Sequence, residues 1–249
     1  MSEDIIVRRN GAVLEIRFNR PAKKNAITNA MYGAMADAVA AVEADPDLRV
    51  ALFTANGDFF SAGNDLKDFA AQSAGAFEGP RHVGRFLENV IRAEKPIVAA
   101  VQGHAVGVGT TMLFQCDLVY VAEDARLTMP FIDLGLVPEN ASSLTVVERL
   151  GHARAFALLG LGEPLLGREA AVWGLANAAL PAAEVEPRAR AAAHKLAQKP
   201  PESLRLTKRL MRNREGLLAR MQQEGELFAE RLRSPEAMQA FAAFLGRKN

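Results

Sequence analysis

Two glycine-containing segments hold the residues best placed to do chemistry. The first is Asp58-Phe59-Phe60-Ser61-Ala62-Gly63-Asn64-Asp65-Leu66-Lys67, just after an apolar run that ends near Thr54. Small residues at 61–63 permit a tight turn and the close approach of a ligand. The second is Gln102-Gly103-His104-Ala105-Val106-Gly107-Val108-Gly109-Thr110-Thr111, which follows the run 97–101 and leads into an apolar helix. A glycine-rich loop that opens a helix offers unpaired backbone N–H groups to a negatively charged atom. Its glycines are spaced G-x-x-x-G-x-G, which is neither the dinucleotide fingerprint G-x-G-x-x-G nor a phosphate loop ending in G-K-[ST]. Taken alone, either loop is read equally well as a packing turn.

Other reactive side chains weigh less. Ser61, Ser142 and Ser143 have no G-x-S-x-G elbow and no convincing histidine partner, which argues against a serine hydrolase. His82, His152 and His194 are scattered without metal-ligand spacing, so no metal is expected. Cys116 lies in the apolar run Met112-Leu113-Phe114-Gln115-Cys116 and reads as a small buried hydrophobe. Asp65 reads as a turn residue bonding backbone N–H groups.

The elements that must position these loops alternate between strand and helix. Two apolar alternating runs, 5–9 and 12–18, flank Asn10-Gly11 and predict a hairpin. Thr28 or Asn29 is a helix cap, and Asp45-Pro46-Asp47 ends that helix after Ala44. Residues 50–54, 97–101 and 117–121 are short buried strands, and 80–95 is a helix. Strands separated by helices predict an α/β sheet with helical crossovers. From about residue 140 strand signals almost vanish, and helices are expected over 183–198, 201–214, 217–232 and from Ser234-Pro235 onward.

The 249 residues are 49% hydrophobic and 24% charged, enough for one sizeable core and unlike a disordered chain. Thirty basic against 29 acidic residues leave a net charge of +1, with no basic stripe for nucleic acid. The start Met1-Ser2-Glu3-Asp4 lacks a signal-peptide h-region, and no run approaches a membrane span, so a soluble cytoplasmic protein is expected.

Five ordered segments then carry a family resemblance. Asn19-Arg20-Pro21-Ala22-Lys23-Lys24-Asn25-Ala26 resembles the N-R-P-x-x-x-N-A segment of the crotonase (enoyl-CoA hydratase/isomerase) superfamily. Ser61-Ala62-Gly63-Asn64-Asp65-Leu66-Lys67 resembles its S-A-G-x-D-L-K segment, and 101–109 its V-x-G-x-A-x-G-G-G segment. Cys116-Asp117-Leu118 and Leu134-Gly135-Leu136-Val137-Pro138 match C-D-L and L-G-L-x-P. The resemblance implies a crotonase-like ββα spiral core over 1–190. It implies a helical C-terminal region over 191–249 that covers the site and builds a homotrimer or a dimer of trimers.

The resemblance also implies roles. Backbone N–H groups of Asn64 and Val108 would polarise a thioester oxygen and stabilise an enolate. Valine replaces the middle glycine of G-G-G, which costs no donor but would narrow the acyl channel. Lys24, Ala26, Ala62, Gly63, Leu66, Gly107 and Phe131 are the expected substrate contacts. Lys23, Lys24 and Lys67 are placed to meet phosphates, and Arg247 or Lys248 to reach coenzyme A. His104, at a position that varies in the family, is expected to pack or make a local hydrogen bond.

The two glutamates of the hydratases are absent, because Thr111 and Phe131 stand at their positions, and neither can activate water. Pro138-Glu139-Asn140-Ala141-Ser142-Ser143 instead resembles the P-E-x-x-S-S segment of the Δ3,Δ2-enoyl-CoA isomerases, whose glutamate is the base. Read without the resemblance, Glu139 is a first-turn carboxylate facing a helix dipole. With it, Glu139 shuttles a proton from C2 to C4 of a 3-enoyl-CoA, with no cofactor besides the coenzyme A thioester itself. Asp133 is a weaker second acid. Dienoyl-CoA isomerisation, dehalogenation, thioester hydrolysis, enoyl-CoA hydration and non-catalytic acyl-CoA binding stay open as alternatives.

Overall fold

The computed structural model describes residues 3–65, 68 and 79–246. Its hairpin is β1 (Ile5–Asn10) and β2 (Val13–Phe18), joined by Gly11-Ala12. The turn lies one residue later than the Asn-Gly signal suggests. Gly11 takes the first loop position with φ +60°, the Gly-X pattern of a tight hairpin turn, so Asn10 is free to pair with Val13.

The main sheet adds β3 (Val50–Ala55), β5 (Ile97–Val101), β7 (Leu118–Ala122) and β10 (Ala178–Leu180), in the order β1-β2-β3-β5-β7-β10. All pairings after the hairpin are parallel. Strands covered on both faces should read as unbroken apolar runs, and every residue of β3 and β5 is buried. Helix α1 (Asn29–Ala44) starts at Thr28, whose Oγ accepts the Met31 N–H. Helix α2 (Val83–Arg92) is shorter than predicted. It stops before Lys95-Pro96, where the residue before proline disfavours helix.

A second sheet was not foreseen. Strands β4 (Phe59–Ser61), β6 (His104–Val106), β8 (Arg126–Thr128) and β9 (Leu165–Leu166) are two or three residues long and ordered β4-β6-β8-β9. The first three run parallel. After β6 come the single turn α3 (Val108–Thr111) and a 3-10 turn, Met112–Gln115.

The rest of the chain is mostly helical, as expected: α4 (Ser142–Leu150), α5 (His152–Gly160), α6 (Gly167–Val172), α7 (Ala182–Ala197), α8 (Pro201–Met211), α9 (Arg214–Arg231) and α10 (Pro235–Gly246). Helix α7 lies on β3, β5 and β7, while α9 packs against α2 and α4. No helix among the described residues is long and apolar enough to cross a membrane.

Candidate active site

The two glycine segments leave the small sheet side by side. Parallel neighbours β4 and β6 pair Ser61 with Ala105. Asn64 and Val108 therefore each lie three residues beyond a paired position, in loops that leave the same edge of the sheet. Glycine allows these loops to touch. A Cβ on Gly63, where φ is +81°, would sit 2.8 Å from the Val106 carbonyl oxygen, and one on Gly109 would sit 2.9 Å from Ser61 Cβ.

The segment around Lys24 clips to the first loop. Lys24 and Asn25 both take left-handed backbone, with φ 52° and 53°. Asn25 is fully buried and holds that conformation by three bonds. Its Oδ1 accepts from the Arg20 N–H at 2.8 Å, and its Nδ2 donates to the carbonyls of Asn56 at 2.8 Å and Phe59 at 2.7 Å. From there a ribbon runs on. The Ala62 N–H donates to Lys24 O, Ile27 N–H to Gly63 O, and Asp65 N–H to Ile27 O. Lys24, Ala26, Ala62 and Asn64 thus lie along one partly exposed strip that includes the buried Gly63. Lys24 is exposed, with Nζ 4.8 Å from the Phe59 ring centre.

The bridge to Ile27 employs the Gly63 carbonyl and the Asp65 N–H, and the Asn64 N–H between them has no acceptor among the described residues. The Val108 N–H is the first of a helical turn and has no intrahelical acceptor. Gly107, with φ 55° and ψ −121°, makes the bend that presents it.

Glu139 reaches the same place. Its Oε1 accepts the Thr111 hydroxyl at 2.7 Å, and Thr111 ends the turn that Val108 begins. From the other side comes Tyr32 of α1, 4% exposed, whose hydroxyl donates to Asn64 Oδ1 at 2.6 Å. Burial drives the Tyr32 pKa well above its usual value, and the charge of Glu139 pushes it further. Hydrogen bonds thus join Tyr32 to residue 64 and Glu139 to the turn that Val108 begins.

Glu139 keeps a little accessible surface, but its carboxyl is largely enclosed by protein. That burial raises its pKa to about 7; the Thr111 bond pulls it down, and the Glu224 carboxylate pushes it up. The pKa thus sits where a proton can be both taken and returned. Thr111→Val removes the bond to the ionised form. A carbon-13 titration of the Glu139 carboxyl should then show its midpoint moving to higher pH. An unmoved midpoint would mean that the bond contributes nothing.

The other expectations fall as follows. Phe131 is 6% exposed, and its carbonyl accepts the amides of Leu134 and Leu136 on the path to Glu139. Asp133 is exposed and lies near Gly162, unlike the enclosed Glu139. Asp65 is a partner of Arg20, at 2.6 Å, beyond the turn role expected of it. His104 makes the local bond foreseen, its Nδ1 accepting the Arg126 N–H at 3.0 Å. Cys116 is buried, which lifts its thiol to about 12. Leu66, Lys67, Arg247 and Lys248 lie outside the described residues. Tyr32, the hydroxyl of Thr111, and Glu224 were not singled out by sequence reasoning. Glu224 did leave a signal, since it takes the place of an apolar residue on the stripe Leu217, Met221, Glu224, Phe228.

The sequence profile of the family described as Enoyl-CoA hydratase/isomerase matches residues 8–249. The chain belongs to the enoyl-CoA hydratase/isomerase family. It is 36% identical to "Enoyl-CoA delta isomerase 2" of Rattus norvegicus over 253 residues, 99% of this chain and 64% of the relative, so it spans under two thirds of that protein's length. The human protein of the same name is 33% identical, also with 64% covered. A "Carnitinyl-CoA dehydratase" of Salmonella agona is 35% identical over 85% of this chain and 81% of its own. Among solved structures of the enoyl-CoA hydratase/isomerase family, one from Pseudoalteromonas atlantica T6c superposes with a TM-score of 0.93 at 40% identity, covering 98% of both chains. OdaA of Pseudomonas aeruginosa superposes with a TM-score of 0.93 at 46% identity, covering 98% and 99%.

Proposed function

We propose that this protein is an acyl-CoA isomerase that moves the double bond of a 3-enoyl thioester to position 2. The observation that carries the reading is Glu139, a largely enclosed carboxylate with a pKa of about 7, bonded by Thr111 to the turn that bears the Val108 amide, with its charge acting on Tyr32, which bonds the Asn64 side chain. Ionised Glu139 takes the C2 proton, and the C–H electron pair moves into a dienolate whose negative oxygen the two amides stabilise. The carboxylic acid so formed returns the same proton to C4, leaving the double bond between C2 and C3. One group suffices, because nothing is added to the substrate or removed from it.

The relatives named enoyl-CoA delta isomerase support this assignment. Coenzyme A would lie along Lys24, Ala26, Ala62 and Gly63 toward Gly107, with Phe131 toward the acyl chain. The proposal extends to a homotrimer or a dimer of trimers in cytoplasmic fatty-acid β-oxidation. Exposed apolar side chains such as Phe156, Val172, Leu210 and Met211 favour such an assembly.

A second reading is dehydration or hydration. It is favoured by the carnitinyl-CoA dehydratase relatives and by the presence of another buried acid, Glu224. Parallel spectroscopic assays on 3-enoyl- and 2-enoyl-CoA separate the two. The isomerase reading expects conjugation to develop from the 3-enoyl substrate with little loss of the 2-enoyl chromophore. Faster water addition than isomerisation would overturn it.

A further inference from the structure

We propose that Glu224 is a positioning residue for Glu139: it caps the strained turn directly behind that side chain and is coupled to it as a second buried carboxyl. The inference rests on the reading of Glu139 as the base.

Glu224 lies within α9 on the face turned to the protein, and is 5% exposed. A carboxylate in that position is unfavourable unless something offsets its desolvation. The offset comes from α4. Helix α4 begins after Asn140 and Ala141, two successive non-glycine residues in left-handed backbone, with φ 64° and 56°. Such conformations persist only where their surroundings enforce them. Ala141 occupies the cap position and has no side-chain oxygen to offer the first amides of the helix. Glu224 supplies that oxygen from another helix, Oε1 accepting the Ser143 N–H at 2.8 Å. Arg220, one turn earlier on α9, donates to Ser143 Oγ at 3.2 Å. Together the two side chains fasten the turn that begins immediately after Glu139.

The second role is electrostatic. Thr111 from α3 bonds Glu139, the charge of Glu224 from α9 acts on it, and its own charge acts on Tyr32 of α1; no cation among the described residues acts on Glu139. Burial raises the pKa of Glu224 itself, and the Ser143 hydroxyl and amide, the Ala141 amide and Arg220 of its own helix oppose that rise. Helix α2, which also packs on α9, gives it no hydrogen-bond donor among the described residues. Glu224 Oε2 likewise has no protein donor among them. Its charge is thus only partly neutralised, and it adds to the burial that keeps Glu139 protonated at higher pH. Two carboxyls so coupled titrate as a pair.

Two variants separate the roles. Glu224→Gln keeps an acceptor for Ser143 and removes the charge. The acid limb of its kcat/KM profile should fall by about half a pH unit or more, giving roughly threefold higher relative activity on that limb. Its melting temperature should not fall below that of the unaltered protein. Glu224→Asp keeps the charge but falls short of Ser143. It should lose at least about tenfold in kcat through a misplaced base, with the limb unmoved. A carbon-13 titration of Glu139 in Glu224→Gln reads the coupling without turnover. Superimposable pH profiles and an unmoved Glu139 titration in Glu224→Gln would overturn the electrostatic role, and full kcat in Glu224→Asp the capping role. Neither result bears on whether Glu139 is the base, which fails only if Glu139→Gln stays active.

Discussion

Glu139→Gln should lose on the order of 1000-fold in isomerase turnover, since in the proposed mechanism Glu139 both takes and returns the proton and general-base loss costs on the order of 100- to 10,000-fold. The measurement is kcat on a 3-enoyl-CoA near pH 8, and near-normal turnover would sink the assignment. The same variant should be the more stable protein, and the sign follows from burial. In the folded protein the carboxyl titrates near 7, against 4.5 for the free group. Below pH 4.5 it is neutral in both folded and unfolded chains, so the advantage of burying a neutral acid is fully present. Between 4.5 and 7 the unfolded chain releases its proton first, and that advantage drains away. Above 7 the folded protein carries a desolvated charge.

Glutamine can accept the Thr111 bond without the charge. The gain should therefore be absent near pH 4 and reach roughly 2–3 kcal/mol at pH 8, allowing for the surface Glu139 retains. For a chain of this size that is on the order of 4–12 °C in melting temperature. Equal melting curves at both pH values would show that Glu139 is better solvated than the geometry implies.

The fold was legible where local chemistry and tertiary demand agree. Thr28 caps α1 because its hydroxyl can accept a first-turn amide, a property written in one residue. The runs at 50–54 and 97–101 read as strands because parallel strands covered on both faces must be apolar throughout. The small sheet was hidden for the opposite reason. Three-residue strands such as His104–Val106 have no periodicity to detect, and β10 is the alanine-rich Ala178–Leu180, extended because β7 pairs with it. In the site, the glycines at 63, 107 and 109 were readable as places of close approach, but their register, Ser61 opposite Ala105, is a property of pairing. Asn25 stood in a recognised segment, yet the three backbone groups that hold its own left-handed conformation are visible only in space. Thr111 drew notice for the acid it replaces; its bond to Glu139 joins positions 28 residues apart. Tyr32 drew no notice within its helix, although a buried tyrosine hydroxyl has to find a partner somewhere.

The second large effect concerns that close approach. Gly63→Ala should reduce kcat by roughly 100-fold or more, comparable to losing one donor of an oxyanion hole, while the protein stays folded. Two causes act at once. At φ +81° an alanine is strained even in open space, and here its Cβ would also press on the Val106 carbonyl at 2.8 Å. That carbonyl belongs to the strand leading directly to the Val108 amide, and Gly63 directly precedes the Asn64 amide. Relief by separating the loops therefore moves both donors from a common target, where a displacement of even about 1 Å is costly.

Gly11→Ala isolates the strain. Gly11 also has positive φ, at +60°, but nothing lies within 4 Å of a Cβ there, and the hairpin turn carries no site residue. That variant should lose on the order of 1 kcal/mol in stability and keep its kcat. If Gly63→Ala behaved the same way, losing stability but not turnover, the two loops would be a packing contact and the enolate would have to be stabilised elsewhere. A selective fall in kcat, with the melting temperature lowered no more than in Gly11→Ala by more than a few degrees, would place the reacting oxygen between them.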